Sequence, residues 1–233
     1  MQKKTIGIIG GMGPLATADL FNKIVLNTVA ECDQDHLRVV IDNNPAIPDR
    51  TAALLDGGED PLPYLLKGAE SLISLGADML LIPCNTAHGF YDKLTALIDT
   101  PVIHMVDSAC EEMERRGIKK AGLLATNGCV RAGIYQSFAK KRGIELILPD
   151  ETEQKTIHEL IYRGVKPNNP KYDASAVRQT ASRLINDGAE AVILGCTELP
   201  LAWPMYSLTD IPYIDPTLIL ARKAVSLAGG KLK

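Results

Sequence analysis

The chain has 233 residues, 46% of them hydrophobic and 23% charged, with a formal net charge of -3. That balance describes a globular protein with room for one large domain or two compact ones, and it offers no basic field for nucleic acid or an anionic membrane. No apolar run approaches the roughly 20 residues that span a bilayer, and the apolar stretch in MQKKTIGIIGG is too short for a signal peptide, so a cytoplasmic location is expected.

Apolar runs rich in β-formers fall at 5–9, 37–41, 78–82, 101–103, 120–125, 144–148, 190–194 and 211–214. Segments with helical spacing lie between them. Leu20, Ile24, Leu26 and Leu37 bracket one, and Leu62, Leu65, Leu66, Ala69, Leu72 and Ile73 form the i, i+3, i+4 stripe of another. Strands apolar on both faces that alternate with helices imply parallel sheets covered on each side.

The chain then repeats itself. GADMLLIPCNT at 76–86 returns as GAEAVILGCTE at 188–198, with Gly, Ala, an acid, an apolar run and Cys at the same offsets. IGIIGG at 6–11 matches AGLLAT at 121–126, and TPVIHMVDSA at 100–109 matches IPYIDPTLILA at 211–221. The expected fold is α/β, with two pseudo-symmetric domains, each a four-stranded parallel sheet flanked by helices, and the active site in the interdomain cleft. Residues 1–104 plus 211–233 are assigned to the first domain and 105–210 to the second.

Five cysteines, Cys32, Cys84, Cys110, Cys129 and Cys196, form no CxxC or CxH pattern, so neither a disulfide framework nor a zinc site is indicated. Cys32, Cys110 and Cys129 read as small structural residues. Cys84 and Cys196 differ, because ligands of open α/β sheets bind outside the carboxyl ends of the strands, where both sit. Two thiols approaching a shared ligand from opposite sides suit racemisation at an acidic carbon, in which a base removes a proton from one face and an acid returns it to the other. Amides at a following helix N-terminus favour a thiolate; Thr86 is a candidate cap after Cys84, with Thr197 and Glu198 in the same relation to Cys196. Backbone N–H groups, Asn85 and the threonine hydroxyls are candidates to hold a substrate carboxylate. His88, four residues after Cys84, raises a nucleophile–base or metal pairing, but no third ligand and no matching His after Cys196 support it.

GGMGPLAT at 10–17, DNNPAIPDRT at 42–51, PCNTAH at 83–88 and GCTELPL at 195–201 together resemble the aspartate/glutamate racemase family, most closely its aspartate racemase branch. The resemblance covers nearly the whole chain. It implies a cofactor-independent racemase of a small amino acid, with no nucleic-acid or membrane partner and usually a homodimer. Carried over by motif, Cys84 and Cys196 are the acid/base pair, and Asn85, Thr86 and Ala87 bind the α-carboxylate. Arg50 and Lys166 would receive the side-chain carboxylate of aspartate, since a second carboxylate needs a cation and Arg offers a bidentate fork. Met12 and Thr126 stand at the mouth of the first strand of each half, and Thr197 and Glu198 flank the second thiol. His36, His104 and His158 are left as ordinary residues. Cys129 departs from the threonine expected there.

Two other classes compete. GMGPLA at 11–16 fits a G-x-G-x-x-A dinucleotide fingerprint after a strand, with Asp42 ending the next strand, as in a nicotinamide-dependent oxidoreductase. The cysteine repeat is then unexplained. A non-catalytic amino-acid-binding protein with the same cleft is the third reading.

Overall fold

The first strand, β1 (Ile6–Gly10), is buried along its whole length, as its continuous apolar run requires of a central parallel strand. In the computed structural model, which describes residues 3–233, it is followed by α1 (Pro14–Asn27), β2 (Val39–Asn43), α2 (Arg50–Leu55), α3 (Leu62–Ser74), β3 (Met79–Leu81), α4 (Tyr91–Thr95), β4 (Val102–Ile103) and α5 (Met105–Arg115). The second half runs β5 (Lys120–Ala125), α6 (Asn127–Arg131), α7 (Gln136–Lys141), β6 (Glu145–Ile147), α8 (Glu151–Glu159), α9 (Ser175–Asn186), β7 (Ala191–Gly195), α10 (Leu199–Met205), β8 (Tyr213–Ile214) and α11 (Pro216–Leu227).

These strands form two four-stranded sheets, β2-β1-β3-β4 and β6-β5-β7-β8, all parallel. The repeat is kept in register: Ile8 pairs with Leu81 and Leu81 with Ile103, while Leu123 pairs with Ile193 and Ile193 with Ile214. In each sheet the strand order reverses between the first and third strands of its half. That switch point is where doubly wound sheets open a crevice at the carboxyl ends. Met12 and Cys84 follow β1 and β3; Thr126 and Cys196 follow β5 and β7.

The last helix of each half crosses to the other. Val106, Ala109, Cys110 and Met113 of α5 pack with Ala121, Leu123 and Ile193 of the second sheet, whereas Leu220, Ala221, Ala224 and Val225 of α11 pack with Ile6, Ile8 and Leu81 of the first. The expected division at 211–233 is corrected for one element: β8 is bonded to β7, so Tyr213–Ile214 extends the second sheet, while α11 and Leu232 join the first core. Leu37 lies outside α1, and Leu26 on α1 is exposed, so Leu20 and Ile24 supply that helix's inner face. Among the described residues no helix is long and apolar enough to cross a membrane.

Gly11 carries the turn from β1 towards the cleft. Its φ is +96°, its N–H donates to Thr17 Oγ1 at 2.9 Å, and a Cβ there would be driven into the Asn44 backbone. Gly11→Ala is expected to destabilise the protein by about 2–4 kcal/mol, combining left-handed strain with the clash. Urea unfolding measures it, and a loss below 0.5 kcal/mol contradicts the strain.

Candidate active site

Asp49 turns the chain into α2 by accepting the Ala52 N–H at 2.9 Å, which sets Arg50 at the first helical position. Arg50 Nη1 donates to the carbonyls of Ile47 (3.1 Å) and Pro48 (2.9 Å), and Nη2 reaches the Met12 carbonyl at 3.4 Å. The guanidinium is thus fixed across the mouth of β1. Its buried Nε has no hydrogen-bond partner among the described residues. Burial opposes its charge, but attraction to the Cys84 sulfur and to Asp49 outweighs burial and raises its pKa.

Asn85 and Thr86 follow Cys84 into a short 3-10 turn, Thr86–Phe90. Asn85 Oδ1 accepts the Tyr135 hydroxyl at 2.6 Å, which orients the amide and leaves the buried Nδ2 unpartnered among the described residues. Thr86 does not cap the turn, as the sequence had suggested. Its hydroxyl instead pairs with Thr126 Oγ1 at 2.8 Å across the cleft. Thr126 also caps α6, accepting the Cys129 N–H at 3.1 Å.

Cys84 and Cys196 are buried, one on each wall of the cleft, and line one narrow pocket. Met12, Arg50, Asn85, Thr86, Thr126, Lys166, Thr197 and Glu198 line it as well. Ala87 does not; it is buried in the core of the first domain beside Ile82 and Phe90. The sequence reading missed Asp49, Thr51 and Tyr162. Asp49 and Thr51 flank Arg50 in the IPDRT motif. Tyr162 gave no signal in its apolar, loop-rich surroundings; its hydroxyl approaches Asp49 Oδ2 at 3.3 Å and joins the two walls.

The second wall is organised by Glu198. One carboxylate oxygen takes an ion pair from Lys166 Nζ at 2.7 Å, and the other accepts the Cys196 thiol at 3.0 Å. Lys166, expected to await a substrate carboxylate, is therefore already paired. Burial, then the Glu198 charge, push the Cys196 pKa well up, partly offset by Lys166. Burial opposes the Lys166 charge as well, and Glu198 more than compensates, so its pKa rises. Thr197 Oγ1 bridges the cleft to the Pro83 carbonyl at 3.2 Å. The glycine turn after β1 also faces this group: a Cβ on Gly13, the N-cap of α1, would lie 3.1 Å from Glu198 Oε1. The positive end of α1 thus meets a protein carboxylate where a dinucleotide phosphate was the competing expectation.

His88 is neither base nor ligand. The Met105 N–H donates to its Nε2 at 3.0 Å, so Nδ1 carries the proton and donates it to the Cys84 carbonyl at 2.9 Å. Burial, with the His104 ring beside it, lowers its pKa to about 3. The unfolded chain protonates this residue near 6.5, so stability is full above that pH and falls as acidification proceeds towards the folded value. Between pH 6.5 and 5 the loss from His88 is about 2 kcal/mol. Urea titrations at the two pH values test this, with His88→Gln as the control that flattens the slope; an unchanged slope in that variant contradicts it.

The family model described as Asp/Glu/Hydantoin racemase matches residues 9–224. The broad specificity amino-acid racemase RacX of Bacillus subtilis is 29% identical over 227 residues, 95% of this chain and 96% of that protein. The aspartate racemase of Picrophilus torridus superposes with a TM-score of 0.88 at 34% identity, covering 99% of this chain and 96% of that one. A glutamate racemase of Francisella tularensis, at 17% identity and a TM-score of 0.70 over 97% of this chain and 81% of its own, shares the fold.

Proposed function

The chain belongs to the Asp/Glu/hydantoin racemase family and is an amino-acid racemase, and we propose that it interconverts L- and D-aspartate with Cys84 and Cys196 as the two bases. The observation that carries this is the placement of the two thiols at repeated strand ends, on opposite walls of one pocket. One thiolate takes the α-proton, forming S–H as C–H breaks. The opposing thiol delivers its own proton to the other face of the planar carbanion.

Two buried donors without partners support an anionic ligand between the thiols. Arg50 Nε and Asn85 Nδ2 belong to pocket-lining residues and have no acceptor among the described residues, and buried donors in a native site call for one. Asn85, beside Cys84, suits the α-carboxylate, where charge accumulates as the proton leaves. Arg50 suits the side-chain carboxylate. The homodimer that the resemblance implies and the cytoplasmic location expected from the sequence belong to the same proposal; light scattering and cell fractionation check them.

A second reading, broad specificity, is favoured by the vestibule outside the pocket. Gly11, Pro14, Leu15, Pro45 and Val165 line it together with Met12, Arg50 and Lys166, leaving largely apolar room beyond the charged groups. Purified, reduced protein is to be incubated with L-aspartate, L-glutamate and a panel of neutral amino acids, with no added cofactor, followed by chiral chromatography. D-aspartate forming fastest supports the first reading, and comparable rates across the panel support the second. No product from any substrate contradicts both.

A further inference from the structure

The two thiols are not equivalent, although the repeat places them symmetrically. Cys84 has a cation beside it, Arg50, whereas Cys196 donates to a carboxylate, Glu198, at 3.0 Å. Glu198 is only 3% exposed. Lys166 Nζ pairs with it at 2.7 Å, and Gly13, the N-cap of α1, lies beside it. A thiol hydrogen-bonded to a buried carboxylate keeps its proton, because a thiolate there would face a second anion with no water between them.

We propose that Glu198 is a positioning residue that keeps the reaction's proton on Cys196, so that Cys196 enters the reaction as the acid and Cys84 as the base. This role rests on the two-cysteine reading above. The resting enzyme then accepts the enantiomer whose α-proton faces Cys84. That proton passes to the Cys84 sulfur, and the Cys196 proton passes to the opposite face of the carbanion. Turnover leaves a thiol at Cys84 and a thiolate at Cys196, against Glu198. That form is relieved by reverse turnover, or by proton exchange through solvent that restores the thiol at Cys196. Other titratable groups around Cys196 are Lys166 and Tyr162 on the segment after α8, Tyr135, and Cys84 across the cleft. Of these only Lys166 carries a positive charge, and Glu198 already holds it.

The test follows iodoacetamide alkylation of Cys196 against pH by peptide mapping in Cys84→Ser protein. The expected midpoint lies above that of an ordinary thiol, about 8.5. Adding Glu198→Gln should lower it by about one pH unit or more, roughly a tenfold faster alkylation at fixed pH below the midpoint; Glu198→Asp, which keeps the charge, should hold it high. In otherwise wild-type protein, Glu198→Gln should move the alkaline limb of the kcat/KM profile to lower pH and leave the acid limb in place. A midpoint that Glu198→Gln does not move overturns the role of Glu198. Should that variant not fold, the Cys84→Ser protein decides alone, since a midpoint at or below 8.5 overturns the role and one above supports it. Alkylation needs no turnover, so a wild-type protein that fails to racemise any amino acid overturns the functional reading instead.

Discussion

Cys84→Ser and, separately, Cys196→Ser are each expected to reduce aspartate racemisation by about 10³-fold or more, the upper part of the range for loss of a positioned acid or base. Serine preserves the size of both side chains, and both positions are buried in a formed pocket, so folding should survive. The hydroxyl is too weak an acid to replace a thiol in either role. Each single variant keeps one base, which yields a sharper signature than lost activity. Cys196→Ser should still wash α-deuterium slowly from the enantiomer that faces Cys84, and Cys84→Ser from the other. Chiral chromatography together with proton NMR of each deuterated enantiomer reads both effects. A collapsed site would lose exchange from both enantiomers alike, and a double Cys→Ser protein that still racemised would end the two-thiol mechanism.

Arg50→Ala carries the second large effect, a fall of about 10²–10³ in kcat/KM for aspartate, as for loss of one partner of a buried charge pair. Arg50 has two tasks in this geometry. Its charge attracts the Cys84 sulfur, and its buried Nε has no partner among the described residues and suits a substrate carboxylate. Removing the charge beside the thiol should lower kcat for every substrate. Removing the carboxylate partner should raise KM for aspartate much more than for a neutral amino acid. Arg50→Lys restores charge without the planar fork and should recover kcat better than KM. Steady-state kinetics on aspartate and alanine separate the two tasks. Equal KM changes for both substrates would remove Arg50 from side-chain recognition.

The two sheets and both cysteines were legible because the information is local and repeated. The run from Gly76 to Cys84 and its copy from Gly188 to Cys196 specify strand, turn and thiol twice. The division at 104 and 211 assigned α5 to the second half and α11 to the first, but the place of β8 in the second sheet was not legible. The apolar run at 211–214 marks a strand, but not which sheet that strand joins. Tyr162 and Lys166 come from a π-helical turn, Leu160–Val165, and its following residue, a distortion with no signature in hydrophobic spacing. The Lys166–Glu198 pair escaped for a related reason: both were expected in the site, but no spacing in the sequence joins two residues that only the fold brings to 2.7 Å. Thr86 followed the usual pattern of a cap, yet its hydroxyl found a better partner in Thr126 across the cleft than in its own short turn.

The most direct test of two bases on opposite faces is the destination of deuterium at early conversion in D2O. L-aspartate and D-aspartate are incubated separately with the wild-type protein, and substrate and product are resolved and weighed by mass spectrometry while conversion is small. Two bases predict product that carries one deuterium at Cα and recovered substrate that carries almost none, because the proton taken by one thiol is not the one returned by the other. Deuterium appearing equally in recovered substrate and product would indicate a single base serving both faces, and would contradict the paired roles of Cys84 and Cys196.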